Sequence, residues 1–202
     1  HDALPIYKRS FLGVLWSLLN PLLTMTVQYI VFSTLFRFDV PHYQVYLLSG
    51  IVMFNFFSEA TTQALTSITG NANLITKVYM PKYVFPVTKV LSSCINLGFS
   101  FIALYVMILF SGLKITISHL LLPFAMLNMI IFTIGFSLIL SSLMVFFRDM
   151  QFLYSVAIML WMYITPIFYP ENIIGPKFKW ILQLNPLYYF IKYSRNIIFD
   201  NS

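Results

Sequence analysis

Long apolar stretches dominate the chain, and short polar segments separate them. Four blocks contain no Asp, Glu, Lys or Arg: residues 10–36, 90–113, 115–147 and 150–170. A fifth block, roughly 45–68, is comparable but holds one acid, Glu59. A helix needs about 20 apolar residues to cross the hydrocarbon core of a bilayer, and helices of soluble proteins normally turn one face to water. The pattern predicts an all-α, polytopic transmembrane helix bundle.

Five spans are visible in this pattern. They cover residues 15–36, 46–68, 90–111, 120–147 and 152–168. Span four is long enough to tilt, or to kink at Pro123 or Gly135. After Pro170 the longest uncharged stretch is only twelve residues, 180–191. That stretch is too short to cross a bilayer, so residues 171–200 are expected to form re-entrant or interfacial helices.

Composition agrees with a membrane location. Hydrophobic residues make up 59% of the chain and charged residues 9%, against about 25% charged in soluble proteins. The net charge of +6 does not indicate nucleic-acid binding, because the basic residues lie in short loops between apolar spans, where membrane proteins keep them. The single cysteine, Cys94, excludes an internal disulfide.

Charge asymmetry between loops predicts the orientation. With a cytoplasmic N-terminus, the first three inner segments hold six basic residues and the matching outer loops hold two, Arg37 and Lys114. Four more basic residues in the tail would bring the outer total to six. Early, short loops carry most of the orienting effect, so a cytoplasmic N-terminus is predicted.

The loop between spans two and three carries the clearest pattern, GNANLITKVYMPKYVFP over residues 70–86. Leu74 and Val78 are four residues apart, as are Ile75 and Tyr79, which predicts one apolar stripe on a short helix. Asn71 or Asn73 can cap its start, and Pro81 ends it. Such a helix lies in the lipid headgroup layer or docks into a groove on a soluble partner, and the pattern alone leaves both open.

Glu59 is the only acid placed well inside a predicted span, and it is interpreted as a structural carboxyl bonded to Thr62, Gln63 or a facing helix. A single acid without a partner makes a poor proton relay.

Aromatic residues reach 18%. Most are expected to be lipid-facing or interfacial, although sugars also stack on aromatic rings, which suits a glycan path.

Several short motifs resemble the permease subunits of type-2 ABC exporters, closest to the branch that exports lipid-linked polysaccharides such as O-antigen and teichoic acid. They occur in the family's order over roughly residues 7–199: Tyr7-Lys8-Arg9-Ser10, Leu12-Gly13, Trp16, Asn20-Pro21, Asn73-Leu74-Ile75, Lys77-Val78-Tyr79, Pro81, Phe147-Arg148-Asp149, Thr165-Pro166-Ile167, Tyr169-Pro170, Asn185-Pro186 and Arg195. Met80 and Thr165 depart from the family's usual Phe and Ser. The family also has an N-terminal interfacial helix and a sixth span, so the chain, which begins with His1, is interpreted as a single permease domain over 1–202 that is a fragment of a longer protein.

The resemblance implies a homodimer served by two copies of an ABC ATPase subunit, in a bacterial inner membrane. ATP and Mg would bind that partner; this chain would hold no cofactor, no metal and no catalytic residue, and it contains no G-x-x-x-x-G-K-[ST] phosphate loop. The implied ATPase-coupling residues are Asn73, Leu74, Ile75, Lys77, Val78, Tyr79, Met80 and Pro81. Candidates for the substrate path are Phe54, Phe57, Tyr163, Tyr169, Tyr188 and Tyr189. Lys8 and Arg9 would meet a lipid headgroup or anchor span one, and Arg148-Asp149 would form a sharp cytoplasmic turn.

Three other functions compete with polysaccharide export. A type-2 exporter of drugs or other lipids would share the same architecture. An enzyme acting on polyprenyl-linked sugars would need clustered Asp, Glu or His at one membrane face, and the six acids and three histidines are scattered. An ion-coupled transporter would show paired intramembrane charges and an internal repeat, and the sequence shows neither.

Overall fold

A computed structural model describes residues 19, 22–32, 41–77, 79–175 and 179–199 of the chain. The regular elements among these residues are all helical. The α-helices, in chain order, are α1 (Leu22–Phe32), α2 (Tyr43–Leu65), α3 (Ser67–Gly70), α4 (Ala72–Ile75), α5 (Val84–Phe110), α6 (Leu122–Phe146), α7 (Met150–Ile164), α8 (Lys179–Gln183) and α9 (Pro186–Phe199). Two short 3-10 helices cover Ile117–Leu121 and Glu171–Ile173.

The all-helical prediction is confirmed for the described residues: α2, α5 and α6 overlap the second, third and fourth predicted spans, and the shorter α7 covers residues 152–164 of the fifth. Among the described residues, two helices are long and apolar enough to cross a membrane, Val84–Phe110 and Ile117–Phe146. Leu22–Phe32 and Met150–Ile164 are shorter apolar helices. Helix α2 has 23 residues but carries six polar side chains between positions 55 and 63, and these lower its hydropathy.

The ends of the helices follow from local backbone chemistry. Helix α5 ends just before Gly112, which adopts a left-handed φ of 74°, a conformation that glycine takes without a Cβ clash. Helix α7 ends at Ile164, four residues before the predicted end of span five, because Pro166 holds Thr165 in an extended conformation with ψ 131°. Pro123 lies in the first turn of α6. A backbone N–H at that position has no acceptor within the helix, so a proline there costs no hydrogen bond. The helix continues through Gly135.

Helix α2 lies at the centre of the bundle, packed against α5, α6, α7 and α9. Its N-terminal half is buried on almost every side. Phe57 is fully buried, and its ring packs against Phe132 and Phe136 of α6 and edge-on against Trp161 of α7. The core therefore surrounds α2, and this helix contacts each of its four neighbours directly.

Connections between helices define two ends of the bundle. We call residues 66–83 and 147–149 the basic end, since Lys77, Lys82 and Arg148 lie there. We call residues 111–121 and 165–185 the tail end, because α9 packs there against the 3-10 helix Ile117–Leu121. The turn predicted at Arg148-Asp149 is confirmed: three residues join α6 to α7, and the Met150 amide donates to the Phe147 carbonyl. The tail contains the short helices α8 and α9, each below the length of a membrane span.

Candidate functional site

The segment between α2 and α5 holds the residues expected to couple to an ATPase, and its helix is shorter than predicted. Helix α4 has four residues, Ala72–Ile75, where the pattern predicted a helix continuing to Pro81. A helix this short has little stability of its own without a packed face, and none of its residues is buried. Asn71 occupies the N-cap position of α4, as predicted, but its side chain makes no capping bond and donates instead to the Ser67 carbonyl at 2.7 Å; Asn73 lies inside α4.

Apolar side chains of this segment face outward. Tyr79 is fully exposed, Leu74 is 44% exposed and Met80 is 38% exposed. Asn73 and Lys77 are also exposed, and Ile75 is half-buried. Val78, the other member of the predicted stripe, lies outside the described residues. Pro81 is exposed and adjoins the turn that starts α5. The geometry gives an exposed, partly apolar segment, which the described residues leave uncovered.

A small cavity links this segment to α6. Its volume is about 270 Å³, and its lining includes Ile68, Lys82 and Tyr83 on the loop side and Ser142 and Phe146 on α6. Helix α3 packs on both α5 and α6. The segment between α2 and α5 therefore packs against both α5 and α6 at the basic end.

At the tail end a buried arginine joins three parts of the chain. Arg195 of α9 is 7% exposed. It donates from Nη1 to the Pro166 carbonyl at 2.7 Å and from Nη2 to the Ile167 and Tyr46 carbonyls at 3.0 and 3.1 Å. Its guanidinium also lies over the Tyr46 ring, 3.5 Å from the centroid, a cation–π contact. A Cβ placed on Gly50 would lie 2.8 Å from Nη2, so only glycine leaves room for this group.

Asn185 forms a second buried junction beside Arg195. Its Oδ1 accepts from Trp161 Nε1 at 2.8 Å and from the Leu187 amide at 3.0 Å, and its Nδ2 donates to Thr165 Oγ1 at 2.8 Å. The amide thus ties the end of α7 to the start of α9. In the sequence, Asn185-Pro186 and Arg195 stand out only as motifs of the exporter family. The signal for a structural role was present, since a polar or charged residue within an apolar helical segment requires partners.

Two neighbouring cavities at the tail end contain three of the six predicted substrate-path residues. One, of about 510 Å³, is lined mainly by apolar side chains and includes Tyr163 and Tyr169. The other, of about 540 Å³, includes Tyr188 and the ion pair of Glu171 with Lys192, 3.0 Å apart. Hydrogen bonds to the Tyr188 hydroxyl and to Glu171 raise the pKa of Lys192.

Both cavities share Ile174, Gly175 and Leu182, so they adjoin; we call the pair, one mainly apolar and one polar, the tail-end depression. Tyr189 lies beside it, 52% exposed, and its hydroxyl donates to the Gln183 carbonyl at 3.1 Å.

The other two candidates for the path do not reach a surface. Phe54 is 3% exposed and Phe57 is 0% exposed, because both project into the packed centre of the chain. The geometry does not support substrate contact at these two rings, whose size and apolar character serve the core. Lys8 and Arg9, the predicted headgroup contacts, lie outside the described residues.

Glu59 behaves as the sequence predicted. Its Oε1 accepts from Gln63 of the same helix at 3.0 Å and from Asn96 of the facing helix α5 at 2.8 Å. The described residues contain no group of three His, Cys, Asp or Glu side chains that could hold a metal ion.

Comparison with known proteins gives consistent matches over nearly the whole chain. The family model described as ABC-2 type transporter matches residues 2–199. An O-antigen export system permease protein RfbA of Klebsiella pneumoniae is 34% identical over 197 residues, which is 97% of this chain and 76% of that protein. A second from the same species is 35% identical over 182 residues, covering 90% and 70% of the two chains. One from Myxococcus xanthus is 31% identical over 183 residues, with the same coverage of 90% and 70%.

Proposed function

The chain belongs to the ABC-2 type transporter family, and from that premise we propose that it is the membrane permease subunit of an ATP-driven exporter of lipid-linked polysaccharide. One observation carries the proposal: relatives named as O-antigen export permeases align along at least 90% of the chain. An O-antigen is a glycan, and the tail-end depression combines tyrosine rings with an ion pair, which suits weak contact with sugar rings and hydroxyls.

The architecture we propose has α1 and α2 with α5, α6 and α7 as five membrane crossings, in the bacterial inner membrane. Two of the five, α5 and α6 together with the 3-10 helix before it, are long and apolar enough to cross a membrane. The basic end, with Lys77, Lys82 and Arg148, would face the cytoplasm by the positive-inside rule. The tail end would then face outward and form the exit. Two copies of the permease would enclose the path between them, since buried side chains of α2 fill the centre of the described bundle.

The energy would come from a separate ABC ATPase, two copies per transporter, which would bind ATP and Mg. This permease would be a translocation subunit without catalysis of its own. The segment from Asn73 to Pro81 would dock in a cleft of the ATPase, as its outward apolar side chains support. Closure of the ATPase dimer on ATP would push this segment and, through α3, the ends of α5 and α6.

Docking is testable with two charge substitutions in the full-length permease. Leu74→Asp and Tyr79→Asp should each reduce co-purification of the ATPase at least tenfold, because a carboxylate placed in an apolar cleft is not solvated. Ile117→Asp is the matched control: Ile117 is 87% exposed but lies at the tail end. All three variants should reach the membrane at wild-type levels. Unchanged co-purification for the first two would exclude this segment as the docking element.

Transport is testable by complementation. In a strain without the chromosomal permease gene, the full-length gene should restore surface polysaccharide, and its absence should leave lipid-linked glycan on the cytoplasmic side. Restored drug resistance with unchanged surface glycan would instead assign the protein to the drug-exporting members of the same superfamily.

A further inference from the structure

The two halves of α2 differ in what they expose. Its first half is buried almost throughout, whereas its second half leaves one face outside the packed core. On an α-helix, residues three and four apart share a face. The side chains that share this uncovered face, all exposed or half-buried, are Asn55, Ser58, Glu59, Thr62, Gln63 and Thr66 at the helix end. Every one of them is polar.

A matching polar face lies on α5. Lys89, Ser92 and Asn96 are spaced three and four apart, and all three are exposed. The hydrogen bond from Asn96 to Glu59, at 2.8 Å, joins the two faces. We call the nine residues of both faces the polar strip. Both bonds to Glu59 from the described residues end on Oε1, so Oε2 keeps its acceptor capacity for an outside hydroxyl.

Other exposed faces of the long helices are mainly apolar. On α5 itself, Leu91 lies about 100° around the helix from Ser92 and is 54% exposed. The exposed residues of α6 include Leu127, Ile131 and Ile139. These apolar faces are the surface that lipid covers. A face of hydroxyl, amide and carboxylate groups is unstable against hydrocarbon, and such residues face a water-filled cavity or protein instead.

The polar strip begins at the basic end and reaches deep into the bundle. Asn55 lies about 16 Å from Thr66 along the helix axis at 1.5 Å per residue, which is about half of a 30 Å hydrocarbon core. Lys89 lies near the start of α5, at the same end as the coupling segment. The strip thus extends from the proposed cytoplasmic end across about half of the bilayer.

We propose that the polar strip lines the entry half of the translocation path and contacts the glycan of the lipid-linked substrate. This inference rests on the proposed function and adds the surface that the substrate follows. Sugars present dense hydroxyl groups, which donate to carboxylate and amide oxygens and accept from amide and ammonium groups. The strip supplies all of these groups and no aromatic ring, so it offers many exchangeable hydrogen bonds through which a long polymer can slide. The aromatic contacts lie at the other end, in the tail-end depression.

Cysteine accessibility tests the location of the strip. Single cysteines replace Asn55, Thr62 or Ser92 in the full-length permease, co-expressed with its ATPase, in a background with Cys94→Ser. Leu91→Cys is the matched control, because Leu91 adjoins Ser92 in sequence and differs in depth by only about 1.5 Å; Ile131→Cys on the apolar face of α6 is a second control. Inverted membrane vesicles are treated with a membrane-impermeant cationic methanethiosulfonate. Thiols on the strip should react at least tenfold faster than the two controls, because reaction needs the hydrated thiolate.

A second arm tests the occupant. Vesicles are prepared with an ATPase variant that cannot hydrolyse ATP, from cells that make the lipid-linked glycan and from cells that do not. Glycan held on the strip should slow labelling of Asn55→Cys several-fold, with Leu91→Cys unaffected. Fast labelling with no effect of the glycan would overturn the proposal in favour of a water crevice.

Two other results of the labelling experiment would contradict the proposal. An Asn55→Cys disulfide between two copies without labelling would make the strip a dimer interface. No labelling and no cross-link would mean that another part of the chain covers it. Labelling is readable whether or not the strain exports polysaccharide, so failure of this inference and failure of the proposed function are distinguished by the complementation assay.

Discussion

Gly50→Ala is the smallest change that tests the buried arginine junction. The new methyl carbon would lie 2.8 Å from Arg195 Nη2 and 3.1 Å from Ile167 Cγ2, and real Cβ contacts do not occur at the shorter distance. A side-chain terminus normally moves away at little cost. This one is buried and bonded to three carbonyls, so it has no vacant position to occupy.

The expected magnitude follows from the two hydrogen bonds that Nη2 makes. Hydrogen bonds to charged groups contribute about 1.5–3 kcal/mol each, and displacement of Nη2 weakens both. Alanine is favoured over glycine within a helix by about 1 kcal/mol, which offsets part of the loss. The net destabilisation should be about 2–4 kcal/mol, or roughly 5–12 °C in Tm for a chain of this size.

Thermal unfolding of the purified, detergent-solubilised permease is the assay, followed by loss of the monodisperse peak on size-exclusion chromatography. Gly98→Ala is the matched control, because Gly98 lies within α5 and a Cβ there meets nothing within 4 Å. It should leave Tm unchanged or raise it slightly. If Gly50→Ala and Gly98→Ala behave alike, the Arg195 junction is not held in the geometry described here.

Three further predictions concern single side-chain contacts. Tyr154→Phe removes the buried hydroxyl pair with Thr61, 2.6 Å apart, and should destabilise the protein by about 1 kcal/mol in thermal unfolding; a loss as large when Thr61 is already Val would rule out the pair as the cause. Lys192→Met breaks the ion pair with Glu171, whose side chains are 43% and 34% exposed, and should change stability by less than about 1 kcal/mol, so a larger fall in Tm would contradict the assignment. Glu59→Gln keeps an oxygen acceptor for Gln63 and Asn96 and replaces Oε2 with an amide N–H that can donate to a sugar hydroxyl, so export should stay within about twofold of wild type in the complementation assay; loss of export would show that the strip requires the negative charge.

The sequence predicted the helices well where hydropathy and local chemistry agree. The charge-free blocks locate α5 and α6, since a run without Asp, Glu, Lys or Arg has few alternatives to a lipid-facing helix. The ends were less predictable. Apolar composition extended span five to residue 168, whereas α7 ends at Ile164 because Pro166 constrains the residue before it. A hydropathy count does not register that single constraint.

The candidate site was predictable in part. Exposure of Leu74 and Tyr79 agrees with the amphipathic pattern. The predicted helix, which continued to Pro81, was too long, because the length of so short a helix depends on what packs against it. Phe54 and Phe57 were considered for the path on ring chemistry alone. Aromatic type alone does not tell a core position from a surface one, and only the three-dimensional packing separates these two rings from Tyr163 and Tyr169.

Helix α2 is not among the helices apolar enough to span a membrane by composition, yet its polar residues form most of the polar strip. In α2 the polar residues repeat at helical spacing over its second half alone, so an average over the whole helix hides a face that is entirely polar. Helices against lipid on all exposed sides, such as α6, have no reason to keep such a face. The cost of leaving it against hydrocarbon requires a hydrated or protein-covered neighbour, and the strip begins at the same end of the bundle as the segment from Asn73 to Pro81.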